Sequence, residues 1–291
     1  MHLLAKRLPF ELILYIAEHA ARQEAAHNSA WVASLALVCR SVRAAVEPIL
    51  YHTIEIRRSH VSDDTWVFTS NRVTSYTRTL VVTSYRNSTL LQLKALAHAC
   101  SNLEILMCSF HPFRDLHSDT VDFAVFGRGP TIRRPSALLL PDSPNGISEA
   151  AELVSVLASI THLALPLSSV LQRIPEVANP TVTHVLIGID LSPNSPHYRD
   201  GPSLTSLVAS LLSVESLVRI VCCAVHPEDY DPNRSTIVRS RLTRQATLLR
   251  DSRIAFDEKV GIGLIENAFV ESARQGFEAW DAGVVLYSET Q

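Results

Sequence analysis

Apolar side chains recur at helical spacing in the first fifty residues of the chain. Leu8, Leu12, Ile16 and Ala20 follow one another at intervals of four, which places them on one face of a helix. Pro9 suits the first turn of this helix, because the N–H group that proline lacks has no partner there. The pattern therefore predicts an amphipathic helix near the N-terminus.

A second amphipathic block follows after a polar stretch over residues 21–29. Its apolar positions are Val38, Val42, Ala45, Val46 and Ile49, and its polar positions are Arg40, Ser41, Arg43 and Glu47. The segment up to about Ile56 is shorter than a domain that folds comfortably without a disulfide, a metal or a partner. Two or three packed helices that need a binding partner are the simplest interpretation.

From about residue 79, short apolar runs alternate with helical patterns. The strand candidates are 79–83, 102–107, 136–140, 161–165, 183–188, 216–221, 253–256 and 283–287, and the helix candidates are 90–99, 148–160, 204–212 and 266–280. Strand starts lie roughly twenty to forty residues apart, the range of solenoid repeats. The alternation predicts an α/β fold with a parallel sheet, for which an irregular solenoid and a doubly wound sheet are the two alternatives.

Composition excludes several classes of protein. The 291 residues are 47% hydrophobic, and the formal net charge of −3 with scattered basic residues argues against nucleic-acid binding. Lys6, Arg7 and Glu11 interrupt any signal-peptide pattern, and no apolar run reaches the length of a membrane span. The five cysteines lie in apolar surroundings, as reduced buried thiols do. We expect an intracellular protein, in the cytoplasm, the nucleus or both.

Motifs for catalysis or cofactor binding are missing from the sequence. There is no G-x-S-x-G, no G-x-x-x-x-G-K-[ST] and no H-E-x-x-H. Cys222, Cys223 and His226 could suggest a metal site, but adjacent residues of a strand point to opposite faces. We therefore expect no metal, no cofactor and no enzyme activity. Three long loops, over residues 109–134, 190–202 and 226–234, are candidates for partner contacts, and Tyr230 in its acidic setting is the preferred one.

The two N-terminal blocks together resemble a known family. Leu8-Pro9-x-Glu11, the apolar helix, the L-x-L-V-C-R-x-x-R block from Leu35 to Arg43, and the closing P-x-L-Y up to Tyr51 resemble an F-box of the fungal type. The resemblance implies docking to a Skp-family adaptor, and through it to a cullin-RING (SCF-type) ubiquitin ligase. The candidate adaptor contacts are Leu8, Pro9, Glu11, Leu12, Ile16, Leu35, Val38, Cys39, Arg40, Arg43 and Ile49.

The resemblance also implies a domain plan. Residues 1–56 would be the F-box, 57–78 a connecting segment, and 79–291 a region resembling degenerate leucine-rich repeats that recruits a target protein for degradation. Two departures from the family pattern stand out: the break over residues 21–29 is long, and Val42 replaces an aromatic residue that we expect to act as an anchor. The alternatives are a repeat-protein scaffold whose F-box no longer binds the adaptor, and an α/β enzyme with an unrecognised site.

Overall fold

The computed structural model of the chain describes residues 8–25, 27–56, 71–83, 96, 99–107, 136–139, 160–167, 180–191, 201–226, 232–260 and 265–288. These residues form eight helices and one nine-stranded sheet. The expected α/β class with a largely parallel sheet is confirmed. The helix candidate 148–160 and the loop candidate 109–134 lie almost entirely outside the described residues, as does Tyr230.

Three helices come first: α1 (Phe10–Glu24), α2 (Ser29–Leu35) and α3 (Arg40–Leu50). Pro9 precedes the first turn of α1, as expected. The break between α1 and α2 is much shorter than the predicted one over residues 21–29, because α1 continues through Ala21 to Glu24. The Asn28 side chain then starts α2 by accepting a hydrogen bond from the Trp31 N–H at 3.2 Å.

These three helices, which we call the helical unit, enclose a small core of their own. Its buried members are Ala21, Val32, Ala36, Val42 and Val46. Val42 and Val46 share the buried face of α3, as the pattern predicts. Val38, which was expected on the same face, precedes α3 and is 68% exposed, because the chain turns between α2 and α3.

The sheet contains its strands in chain order. They are β1 (Thr53–Ile56), β2 (Thr79–Val82), β3 (Ile105–Met107), β4 (Ala137–Leu139), β5 (His162–Pro166), β6 (His184–Asp190), β7 (Arg219–His226), β8 (Ile254–Val260) and β9 (Val284–Val285). The first eight strands are parallel, and β9 pairs with β8 in the antiparallel sense. Along the described strands the order never reverses, which differs from the doubly wound alternative.

Two segments have a different structure from the one that the sequence pattern assigned to them. Thr53–Ile56, assigned to the docking helices, pairs with β2, and its Ile54 and Ile56 side chains belong to the core of the sheet. Asn71–Tyr76, assigned to the connecting segment, forms helix α4.

The remaining helices are α5 (Gly201–Leu212), α6 (Pro232–Leu249), α7 (Ile265–Gln275) and α8 (Glu278–Asp281). Helix α5 confirms the candidate at 204–212. The single helix expected over 266–280 is divided at Gly276, whose φ of 71° belongs to the left-handed region that ends helices. Helix α6 was missed, because its few apolar residues give only a weak helical pattern.

Helices cover both faces of the sheet. On the α5–α6 face, strand residues such as Leu165 and Ile187 pack with Leu207 and Leu242. On the α7–α8 face, the opposite side chains of the same strands pack with residues such as Phe269 and Trp280. Burial on both faces explains why the strands are continuous apolar runs in the sequence instead of alternating ones.

Candidate functional site

Exposed apolar side chains are concentrated on the helical unit. Of the fourteen large apolar residues that are exposed in the described part of the chain, nine lie between residues 8 and 38. We call these nine the N-terminal apolar surface: Leu8, Phe10, Leu12, Ile13, Tyr15, Ile16, Trp31, Leu37 and Val38. So many exposed large apolar residues in one short segment are uncommon on monomeric proteins, where larger apolar patches mark interaction sites.

Helix α1 supplies most of this surface because it has more apolar residues than the small core can enclose. Leu14, Ala17 and Ala21 face the core of the helical unit. Leu12 and Ile16 remain 42% and 50% exposed on the other side of the helix. A helix that is apolar on both sides needs burial on both sides, so a partner is expected to cover the second side.

The turn between α2 and α3 presents the most exposed apolar residues. Leu37 and Val38 are 83% and 68% exposed, and Cys39 beside them is exposed as well. The expectation that all the cysteines are buried is wrong for Cys39, because it lies in this turn directly before α3. The turn and the outer side of α1 together form the candidate docking site.

Most of the residues predicted to contact an adaptor are accessible. Those exposed are Leu8, Pro9, Glu11, Leu12, Ile16, Val38, Cys39, Arg40 and Arg43, and those half-buried are Leu35 and Ile49. The half-buried pair packs against the small core. Accessibility is thus consistent with a docking role, and the role itself stays a prediction.

Val42 lies in the core of the helical unit. Only 4% of its surface is exposed, and it packs with Val32 and Val46. A larger side chain at this position would therefore meet the other helices of the unit, and the anchor role expected from the resemblance stays a prediction.

Glu47 is a polar residue that the sequence pattern misplaced. It was expected on the polar side of α3, yet it is 4% exposed and accepts a hydrogen bond from Arg43 Nε one turn earlier. The hydrogen bond to Glu47, together with its negative charge, raises the pKa of Arg43. The guanidinium group of Arg43 is thereby held along α3. An i, i+4 spacing of opposite charges is the signal that points to this pair.

Five apolar members of the surface were also missing from the sequence-based list of contacts. Phe10, Ile13, Tyr15, Trp31 and Leu37 are exposed. The signal for them is the excess of apolar residues in so short a segment, beyond the four that recur at intervals of four.

A polar cleft of about 1190 Å³ separates the helical unit from the edge of the sheet. Arg274 of α7 forms an ion pair with Glu55 of β1 there at 2.7 Å, and Arg78 pairs with Glu104. Burial, and then the charge of Arg78, lower the pKa of His52 in this cleft. Because the charges compensate one another, the cleft connects structural elements and does not resemble a charged ligand site.

The cysteine pair on β7 has no reactive thiol. Cys222 and Cys223 belong to the cores on opposite faces of the sheet, which confirms the expected alternation. Burial raises the pKa of each thiol to about 12. His226 instead lies 3.2 Å from a carboxylate oxygen of Glu258. Within the described ranges no three histidine, cysteine or acidic side chains come together as a metal site would require.

The geometry defines an α/β protein with exposed apolar residues concentrated on an N-terminal helical unit. Comparison of the chain with family models, with curated proteins and with solved structures finds no match. None of the helices in the described part of the chain combines the length and the hydropathy that crossing a membrane requires.

Proposed function

We propose that this chain is a substrate receptor of a cullin-RING (SCF-type) ubiquitin ligase. In this proposal the N-terminal apolar surface docks a Skp-family adaptor, and the sheet region recruits a target protein. The observation that carries the proposal is the concentration of nine exposed large apolar residues on the segment that resembles an F-box. Burying such side chains is the main driving force of stable protein association.

The separation between core and surface supports a preformed docking site. Val32, Val42 and Val46 hold the helices together, whereas Leu12, Ile16 and Val38 are exposed. A partner can cover the exposed set without rearranging the core, which keeps the ordering cost of binding low.

We also propose that the sheet region is an irregular solenoid of the leucine-rich-repeat type. The unreversed parallel strand order supports this interpretation. So does a repeated hydrogen-bond arrangement at the start of the strands, where one carbonyl accepts bonds from two consecutive N–H groups of the next strand. The accepting carbonyls belong to His52, Arg78, Glu104, Ser136, Thr161 and Thr183. A recurring local arrangement of this kind is typical of repeat proteins.

The proposed mechanism is proximity, and it requires no bond chemistry in this chain. Holding a target beside a ligase makes transfer of ubiquitin effectively intramolecular. A stable adaptor interface would bury on the order of 1,200–2,000 Å², with a few apolar residues supplying most of the free energy of binding.

Co-purification with a Skp-family adaptor tests the proposal. The wild-type chain is expected to retain the adaptor, and the double variant Leu8→Asp/Ile16→Asp is expected to lose it. A matched control is Val218→Asp/Leu248→Asp, since Val218 and Leu248 are 60% and 68% exposed outside the helical unit. Failure of the wild type to bind under conditions in which an established F-box protein binds would contradict the proposal, as would equal loss in both double variants.

A further inference from the structure

Helix α6 has a composition unlike that of the rest of the chain. It contains four arginines, Arg234, Arg239, Arg241 and Arg244, and no acidic residue over Pro232–Leu249, whereas the whole chain has a net charge of −3. Positive charge is therefore concentrated on one outer helix of the sheet region.

The surface of α6 is organised in two neighbouring rows. Ser235, Arg239 and Thr243 follow one another at intervals of four, and Thr236, Ser240 and Arg244 form the adjacent row. Residues four apart lie next to each other on a helix surface. Together these six side chains line a groove of about 560 Å³.

The rest of the helix fixes this groove in place. Val238, Leu242 and Ala246 are buried against the sheet. Arg239, which borders this buried stripe, and Arg244, on the far side of the helix, are both exposed. The arrangement consists of guanidinium groups flanked by hydroxyl groups on a rigid element, and both kinds of group donate hydrogen bonds to anionic oxygens.

In the part of the chain that the structure describes, Arg239 and Arg244 lack the carboxylate partner that several other arginines have. Five others pair with a carboxylate: Arg22 with Glu18, Arg43 with Glu47, Arg78 with Glu104, Arg253 with Asp251 and Arg274 with Glu55. Within the part of the chain that the structure describes, neither Arg239 nor Arg244 forms an ion pair. Their guanidinium groups are available to a ligand.

One carboxylate lies at the edge of the groove. Among the described residues, Glu258 of β8 is the only acidic one that lines it, and buried His226 lies 3.2 Å from one of its carboxylate oxygens. An anionic ligand gains from the two arginines and is repelled by Glu258. Removing the charge of Glu258 should therefore raise the affinity for an anionic ligand, whereas removing the charge of the arginines should lower it.

We propose that the α6 groove binds an extended segment of a partner protein that carries two anionic side chains at alternate positions. Arg239 and Arg244 are five residues apart, which is about 7.5 Å along a helix axis. They also lie about 140° apart around the axis, so they flank the groove on its two sides. Alternate side chains of an extended segment are about 6.6 Å apart, and the length of the arginine side chains lets one anionic group reach each guanidinium. The anionic groups are carboxylates or phosphates, since both accept paired hydrogen bonds from guanidinium.

A protein segment fits better than a nucleic acid. None of the described residues that line the groove is an aromatic on which a base could stack, and the net charge of the chain is negative. Only the identification of this partner as the recruited target rests on the proposed function. Peptide binding is measured without the adaptor, so failure here would leave adaptor docking intact.

Fluorescence polarisation with labelled nine-residue Gly/Ser peptides tests the groove on the full chain. One peptide carries glutamates at two alternate positions, one carries phosphoserines there, and the control carries glutamines. Either anionic peptide is expected to bind at least about tenfold more tightly than the glutamine peptide. The stronger of the two identifies the anionic group. Equal binding of all three peptides, or tighter binding of a single-stranded oligonucleotide, overturns the proposal.

Variants locate the binding to the groove. The double variant Arg239→Gln/Arg244→Gln is expected to lower the affinity for the anionic peptide about tenfold. Glu258→Gln is expected to raise this affinity about threefold. Arg250→Asn is the control, because Arg250 lies outside the groove and asparagine tolerates its φ of 50°. Equal weakening by Arg250→Asn would mean a non-specific charge effect. Weakening by Glu258→Gln would likewise contradict the proposal, even if the double variant failed to fold.

Discussion

The helical unit and the sheet region use apolar residues in opposite ways. The helical unit has five buried apolar residues in its core and leaves nine large ones exposed. The sheet region buries apolar side chains on both faces, including Phe269 and Trp280, which are completely buried. In the described residues, the exposed apolar side chains are therefore concentrated on the helical unit, which is the region that we propose a partner covers.

The α7–α8 face shows how thoroughly the sheet is covered. At Gly188 on β6, an added Cβ atom would lie 2.8 Å from Ile265 Cγ2 and 3.2 Å from the Phe269 ring. Glycine is needed there for the close approach of α7 to the strand. At this strand the face of the sheet is therefore closed by α7.

The largest expected difference between the two regions comes from removing a tryptophan from each. Trp280→Ala is expected to lower the free energy of unfolding by about 3–5 kcal/mol, because Trp280 is fully buried and its Nε1–H donates to the Leu163 carbonyl at 3.4 Å. Trp31 is 38% exposed on the helical unit, so Trp31→Ala is expected to cost much less. Urea unfolding followed by circular dichroism measures both, and equal losses would contradict the comparison.

A phenylalanine placed on either side of the helical unit distinguishes its core from its surface. Val42→Phe is expected to destabilise the unit by about 1–3 kcal/mol, since Val42 is 4% exposed and the core is filled. Val38→Phe is the control, because Val38 is 68% exposed and can accept a larger side chain. Thermal unfolding of the two variants is the measurement. A stable Val42→Phe variant would show that position 42 is not enclosed.

A smaller effect is expected on the α7–α8 face. Gly188→Ala should reduce the free energy of unfolding by about 1–2 kcal/mol, because the new methyl group meets Ile265 and Phe269. Adding Ile265→Ala removes the side chain nearest to the new methyl group. The double variant should therefore lose less free energy of unfolding than the two single variants lose together. Additive losses in urea unfolding would mean that α7 does not approach β6 so closely.

The smallest expected effect is a pH dependence within the sheet region. The His162 ring stacks on His184 at 4.3 Å and meets Trp280 edge-on at 5.3 Å. Burial, and then the nearby His184, lower the pKa of His162 to about 4. The unfolded chain therefore binds this proton more readily, and the stabilisation present above about pH 6.5 is lost progressively as the pH falls towards 4.

His162→Phe should weaken that pH dependence, because phenylalanine retains the ring contacts and cannot be protonated. His19→Gln changes an exposed histidine of α1 and serves as the control. The measurement is the melting temperature of each variant between pH 7 and pH 4. If the melting temperature of His162→Phe falls with pH as steeply as that of the wild type, His162 does not contribute to the pH dependence.

Local periodicity predicted much of this fold. The apolar runs at 79–83, 161–165 and 183–188 correspond to β2, β5 and β6, because a strand buried on both faces is visible as a continuous apolar run. Helix α6 has few apolar residues and gave no such signal. The division of the last helix depends on the backbone conformation of Gly276, which periodicity does not encode.

The candidate site was predictable in part. Spacing at intervals of four identified Leu12 and Ile16, but it could not separate core from surface for Val42 and Val38. That separation depends on where the turn between α2 and α3 falls. The burial of Glu47 depends on how α3 packs against its neighbours, so only its spacing from Arg43 was visible in the sequence.

Hydrogen exchange of the full chain, with and without a purified Skp-family adaptor, tests the central claim most directly. The adaptor is expected to protect backbone amides in residues 8–50 and to leave residues 201–288 unchanged, because nine of the fourteen exposed large apolar residues in the described part of the chain lie in the helical unit. The variant Leu8→Asp/Ile16→Asp should show no such protection. Binding without protection in the helical unit, or protection confined to the sheet region, would contradict the account.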